Sequence, residues 1–222
     1  MNSELPMREV RTGKRLSFGI AAVALLAAVA MTTPGSATAA PLLQTNSTWL
    51  VTPTAPIAAD WNTNVGFDDS GWQNATELYD VGAVLADPAF DGTMGIWSSG
   101  GQFSTTETAV WIRKVLDLAA LSSASLTVGC DDDCTVWVNG TQVINDTNGF
   151  ANNNIVADLL PFLDVGSNLI AYTTTDNFPV WGYNHSTWLQ LDGELTVPEP
   201  ASLTLFGLAL LGLGWSRRRR AA

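Results

Sequence analysis

Apolar and polar residues alternate in short runs through the middle of the chain. In SLTVGCDDDCTVWVNGTQVI (125–144), Leu126 and Val128 alternate with polar neighbours, and Val136 and Val138 do so again. This period of two predicts strands. Asn139-Gly140 is a strong two-residue hairpin signal, because both central positions of that turn need positive φ. TAVWIRKVLDL (108–118) puts Val110, Ile112, Leu116 and Leu118 on one face, with Lys114 the exception. NLIAYTTT (168–175) follows a Gly166-Ser167 turn, and IVADLLPFL (155–163) has room for a helical turn. Short strands between Gly, Asn and Asp clusters predict an all-β sandwich.

Both ends of the chain break this pattern. Arg8, Arg11, Lys14 and Arg15 precede an uncharged run from Phe18 to Met31, followed by Ala37-Thr38-Ala39. A basic region, an apolar region and a small-residue cleavage site predict a secretory signal peptide over residues 1–39. At the other end, Ala201 to Trp215 is uncharged and would span ~22 Å as a helix, a marginal fit to a bilayer core of about 30 Å. Pro198-Glu199-Pro200 precedes this run and Arg217, Arg218, Arg219 and Arg220 follow it. The prolines mark its external start, and the arginines stay cytoplasmic by the positive-inside rule. These three parts, over residues 197–222, resemble the PEP-CTERM sorting signal of exported bacterial proteins. That resemblance implies an exosortase as partner, transient passage through the inner membrane on a C-terminal transmembrane helix, and release to the cell surface or extracellular matrix.

Between the ends lie two basic residues, Arg113 and Lys114, against eighteen acidic ones in residues 40–197, a net charge of −16. Nucleic acid is excluded as a partner, because phosphate contacts need Lys and Arg. Cys130 and Cys134 are the two cysteines, and an exported protein permits them a disulfide. Two thiols with a distant His185 do not build a structural zinc site.

FDDSGW (67–72), AVWIRKVLDL (109–118), LTVGCDDDCTVWVNGTQV (126–143) and ADLLPFLDVGSNLIAY (157–172) occur in that order. Together they resemble the galactose-binding-like jelly roll, notably the sugar-binding domain attached to family 2 glycoside hydrolases, over residues 46–196. The resemblance implies a jelly-roll β-sandwich and, loosely, a carbohydrate ligand. The cysteine pair and the Trp-rich stretch after Tyr172 depart from it.

Asp131, Asp132 and Asp133 have two readings. One is a structural calcium site, since calcium takes carboxylate oxygens; no other cofactor is expected. The other, favoured for want of a second ligand loop, is a solvated hairpin tip held by the Cys130–Cys134 disulfide. Eight tryptophans lie in the body, and Trp72, Trp111 and Trp137 are read as structural. The stretch TTDNFPVWGYNHSTW (174–188) sets aromatic rings among amides and a carboxylate, as a sugar site would. Trp181 and Tyr183 are the candidate platform, with Asp176, Asn177 and Asn184 as polar partners. Asp91 and Trp97, in the segment 89–102, are candidate contributors; packing under a long loop explains the same residues equally well. No motif for a catalytic serine, metal protease or phosphate loop occurs. The expectation is a non-catalytic binder of carbohydrate, such as the cell's own exopolysaccharide. The alternatives are a structural matrix protein without a discrete ligand and a glycan-active enzyme or its accessory module.

Replacing Glu199 by Ala, or deleting Arg217 to Arg220, should leave unprocessed protein in the inner membrane of a host with an exosortase. Equal mass and location for wild type and both variants would refute the sorting reading.

Overall fold

Alternation on this scale produces two sheets whose apolar faces need each other. The computed structural model describes residues 41–101, 106–147, 153–177, 185–196 and 207–211. Its first sheet contains β1 (Pro41–Gln44), β4 (Thr76–Asp80), β5 (Met94–Trp97), β7 (Leu121–Cys130), β10 (Asn153–Val156) and β12 (Thr187–Leu195). Their order is β10-β7-β12-β5-β4, with β1 also paired to β12. The second sheet contains β2 (Leu50–Thr52), β3 (Gln73–Asn74), β6 (Ala109–Leu118), β8 (Asp133–Val138), β9 (Thr141–Asp146) and β11 (Gly166–Thr175). Their order is β3-β2-β6-β11-β8-β9. Every pairing is antiparallel.

The core is the space between the sheets. Ile96, Trp97, Leu126, Val128, Leu189 and Leu191 line it from the first sheet. Val51, Val110, Ile112, Val136, Val138, Ile170 and Tyr172 line it from the second. Trp49 meets Tyr172 edge to face at 5.8 Å. Lys114 keeps the inward parity of its strand, yet its ammonium donates to the Thr48 carbonyl at 2.9 Å and the Thr48 hydroxyl at 2.8 Å. It thus buries its stem and leads its charge to the edge.

The Asn139-Gly140 hairpin forms between β8 and β9, with φ of 48° and 82° at the two positions. Asn139 also works through its side chain. Its amide donates to the Phe162 carbonyl, and its oxygen accepts from the Leu169 amide at 2.8 Å. The expected helical turn near residue 160 is a single 3-10 turn, Leu160–Phe162. A five-residue helix, α1 (Val81–Leu85), connects β4 to a second 3-10 turn; the Asp80 side chain caps it by accepting from the Ala83 amide.

The link from β7 to β8 differs from expectation. The sequence reads as a hairpin, but the two strands belong to opposite sheets. β7 pairs with β10 and β12, and β8 pairs with β9 and β11. Both strands carry long inward apolar sets, and satisfying both at once needs a corner between sheets. Cys130 and Cys134, Cα atoms 6.0 Å apart, close that corner with a disulfide.

A second aromatic layer covers part of the outer face of the second sheet. Trp61 packs on Leu169 and Ala171, with Phe67, Trp72, Trp111 and Trp137 around it. Trp72, Trp111 and Trp137 therefore serve packing, as expected, although Trp111 and Trp137 sit in this partly exposed layer and not between the sheets. Arg113 pins the layer. It is 1% exposed, donates to Asp69 Oδ2 at 2.7 Å and the Asn64 carbonyl at 2.9 Å, and lies 5.0 Å over the Phe67 ring.

Asp69→Ala should strand the Arg113 charge and destabilise the fold by about 2–3 kcal/mol, read from urea unfolding. Adding Arg113→Met should recover part of that loss, because the buried charge is then gone. A single variant as stable as wild type would show that the pair does not hold the layer.

A carboxylate and histidine cluster at one end of the sandwich

The corner between β7 and β8 gathers polar residues from four segments. Asp131 and Asp132 lie between the cysteines, and Asp133 starts β8. The Asp131 amide donates to the Ser186 carbonyl at 3.1 Å, and the Asp132 amide to the Thr175 carbonyl at 2.8 Å. The corner is thereby sewn to the end of β11 and the start of β12. Asn177 completes the seam: its backbone amide donates to Asp132 Oδ2 at 2.8 Å, and its side-chain amide to Asp133 Oδ2 at 2.6 Å.

Behind the seam sits the one histidine of the chain. His185 is 2% exposed, and its Nδ1 bonds to Asp176 Oδ2. Its ring packs on the Trp97 indole with centroids 5.0 Å apart. Glu107 joins the cluster through a hydrogen bond from Ser98, and Tyr79 reaches Ser186 at 2.8 Å. Gly101 permits the first of these contacts: a Cβ there would collide with the Glu107 carboxylate and the Ser98 hydroxyl.

The electrostatics follow from crowding in a dry place. Burial pushes the Asp131 carboxyl up to about 6, and the neighbouring Asp176 and Asp132 push the same way while His185 opposes them. Burial also raises Glu107, again opposed by His185.

These contacts sort the candidate residues. Asp131, Asp132, Asp133, Asp176 and Asn177 come together. Asp132 is 5% exposed, so the aspartate run is a structural seam more than a solvated tip. Among the described residues, no three His, Cys, Asp or Glu side chains are arranged to hold a metal ion, so the calcium reading gains no ligand set. Trp97 is 0% exposed with its ring against His185, so it belongs to the core and offers no face to a sugar. Asp91 is not its neighbour either. The segment 89–102, expected as one loop, contains β5, whose last residue is Trp97, while Asp91 precedes its first residue, Met94. The Asp91 carbonyl accepts from Gln44 instead. The stretch 174–188 is likewise shorter as a loop than expected. Thr174 and Thr175 finish β11, and Thr187 and Trp188 begin β12. Trp188 packs its ring on Phe90 at 4.6 Å.

Trp181, Tyr183 and Asn184 lie outside the described residues, as do the proposed signal peptide, Pro198, Glu199, Pro200 and Arg217 to Arg220. Residues 207–211 are helical, and no helix among the described residues is long and apolar enough to cross a membrane. Sequence reasoning considered His185 only as a zinc ligand too distant to serve, and gave Glu107 no role. Neither sits in a recognisable motif, and only the fold brings them to residues far along the chain.

The raised Asp131 carboxyl has a sign. In the folded protein it keeps its proton up to about pH 6, whereas the unfolded chain releases it near the ordinary value of 3.8. Stability should therefore fall as pH rises from about 4 to about 6. Asp131→Asn should flatten that slope and stabilise the protein at pH 7, read from melting temperatures across the range. An unchanged slope would show that Asp131 ionises freely in the fold.

Comparison with solved structures returns partial likenesses. A glycosyl hydrolase family 2 member from Bacteroides cellulosilyticus is 20% identical, with a TM-score of 0.42 over 64% of this chain and 19% of that one. A calcium-binding mutant of Bacteroides uniformis beta-glucuronidase 2 is 15% identical, with a TM-score of 0.43 over 64% and 17%. An exo-chitosanase from Amycolatopsis orientalis is 20% identical, with a TM-score of 0.44 over 69% and 20%. This chain thus spans about a fifth of the length of those it matches. No curated protein matches it. Residues 196–220 match the family described as the PEP-CTERM protein-sorting motif.

Proposed function

We propose that this is an exported protein, sorted by an exosortase, whose jelly-roll body binds neutral carbohydrate at the Asp176–His185 end without transforming it. The sorting half draws on the motif match at 196–220. The binding half draws on one observation: Asp176 and His185 are bonded to each other, and Asn177 is bonded to Asp132 and Asp133. Asn177 and His185, on either side of residues 178–184, are both tied to this end of the sandwich. The residues between those anchors include Trp181, Tyr183 and Asn184, so the stretch richest in rings and amides starts from a rigid base. Rings stack on the C–H face of a sugar and amides bond its hydroxyls, and neither needs a cation, which suits a body with two. Exopolysaccharide at the cell surface is the partner this chemistry fits.

One observation favours a second reading, a glycan-active enzyme. Asp131 and Glu107 are both carboxyls raised by burial beside His185. A general acid at neutral pH needs such a shift.

Trp181→Ala should abolish retention on a glycan array while the melting temperature stays near that of wild type. Collapse of the fold in that variant would make Trp181 a core residue and end its role as a platform. Turnover of chromogenic glycosides by wild type, lost in Asp131→Asn, would overturn the non-catalytic reading in favour of the enzyme.

A further inference from the structure

Among the described residues, the aromatic layer covers the outer face of the second sheet at one end. Trp61, Phe67 and Trp72 lie over Leu169 and Ala171 there. Toward the other end a row of side chains crosses the sheet in register. Asn145 pairs with Thr135, Thr135 with Thr173, Thr173 with Trp111, and Trp111 with Thr52. Their immediate chain neighbours Ile144, Val136, Thr174, Val110, Ile112 and Val51 are buried. By the period of two, the row therefore points away from the core. All five of its members are partly or fully exposed.

Three properties of the row bear on what it meets. It holds no charged side chain, in a body of net charge −16. It presents three hydroxyls and an amide: the Thr135 hydroxyl donates to the Asn145 side-chain oxygen at 3.0 Å and the Thr52 hydroxyl accepts from the Thr54 amide at 3.2 Å, which leaves the Asn145 NH₂ group to donate and the Thr135 oxygen to accept. It also presents one indole, whose packing against the aromatic layer steadies it. It crosses five strands, which at ~4.8 Å between neighbours makes it about 19 Å long. Phosphate-bearing ligands find no cation here. A protein partner finds a single large apolar side chain, where interface centres concentrate several. A string of neutral sugar rings finds a stacking surface flanked by hydrogen-bonding groups along its length.

The row is also continuous with the end cluster. The next row outward on the same face is Asp133, Thr175 and Ala109, and Asn177 bonds Asp133.

We propose that this row is the bed of an extended neutral polysaccharide, with Trp111 stacking on one ring and the threonines and Asn145 bonding hydroxyls of its neighbours. The proposal rests on the carbohydrate reading above and deepens it, because it makes the ligand a chain and not a single terminal sugar.

The test uses the full mature protein in native gels containing xylan, galactomannan or mixed-linkage glucan. Calorimetry then compares two-sugar and six-sugar fragments of whichever polymer retards it. Wild type should be retarded, and the six-sugar fragment should bind at least about tenfold tighter than the two-sugar one. Trp111→Ala and Thr173→Glu should each lose that gain. Thr173→Glu places a charge on the open face without emptying a packed site, so it decides the matter if Trp111→Ala fails to fold. Retardation of wild type with equal binding of both fragments, or with Thr173→Glu as tight as wild type, overturns the extended bed and leaves the loop reading intact. No retardation in any polymer, together with an empty glycan array, overturns both.

Discussion

Everything in this molecule depends on keeping two apolar sheet faces out of water at once. Each face is built around a long antiparallel pair: β7 with β12 in one sheet and β6 with β11 in the other. Neither sheet is stable alone with Val, Ile, Leu and Trp exposed along one side, and burial of such side chains is the main force available. This constraint explains why the chain changes sheets at the Cys130–Cys134 corner. A hairpin there would have aligned β7 and β8 in one sheet and left the inward residues of the other without partners. A disulfide closing so short a loop adds about 2 kcal/mol to a corner the core already requires.

The same sheet manages its outer face differently at its two ends. Arg113 has inward hydrogen-bonding partners only because the segment from Trp61 to Trp72 folds back over it. Its charge would be costly in that position without Asp69, and the carbonyls of Asn64 and Phe67 accept from its terminal nitrogens, while its buried Nε has no partner among the described residues. The result is an aromatic layer over part of the sheet. Beyond it one row across the face is polar and uncharged, and the next row brings Asp133.

The end cluster shows how a fold converts ordinary residues into perturbed ones. Asp131 is one of eighteen acidic residues in the body and carries nothing unusual in its sequence neighbourhood beyond two more aspartates. Its elevated carboxyl comes from burial first, and then from Asp176, forty-five residues away. His185 is drawn into the same place by its bond to Asp176 and its packing on Trp97. The cluster ties the corner, β11 and β12 together at one end of the sandwich.

The sequence by itself determined the strands, because a period of two in residue type maps directly onto the two sides of a pleated strand. Leu126, Val128, Val136, Val138, Val110 and Ile112 are buried as their alternation requires, and Asn139-Gly140 turns as its tolerance of positive φ requires. It also determined the sorting tail, whose three parts are contiguous and readable without a fold. Tertiary structure alone decided which strands share a sheet, since alternation says that a face is apolar but not which other face will cover it. For that reason the β7–β8 link read as a hairpin, and the segment 89–102 read as one loop. It decided the candidate site for the same reason. His185, Glu107 and Asp131 meet through contacts between distant segments, and the open row on the second sheet exists only once Thr52, Trp111, Thr135, Asn145 and Thr173 are placed in register by backbone hydrogen bonds that no local pattern encodes.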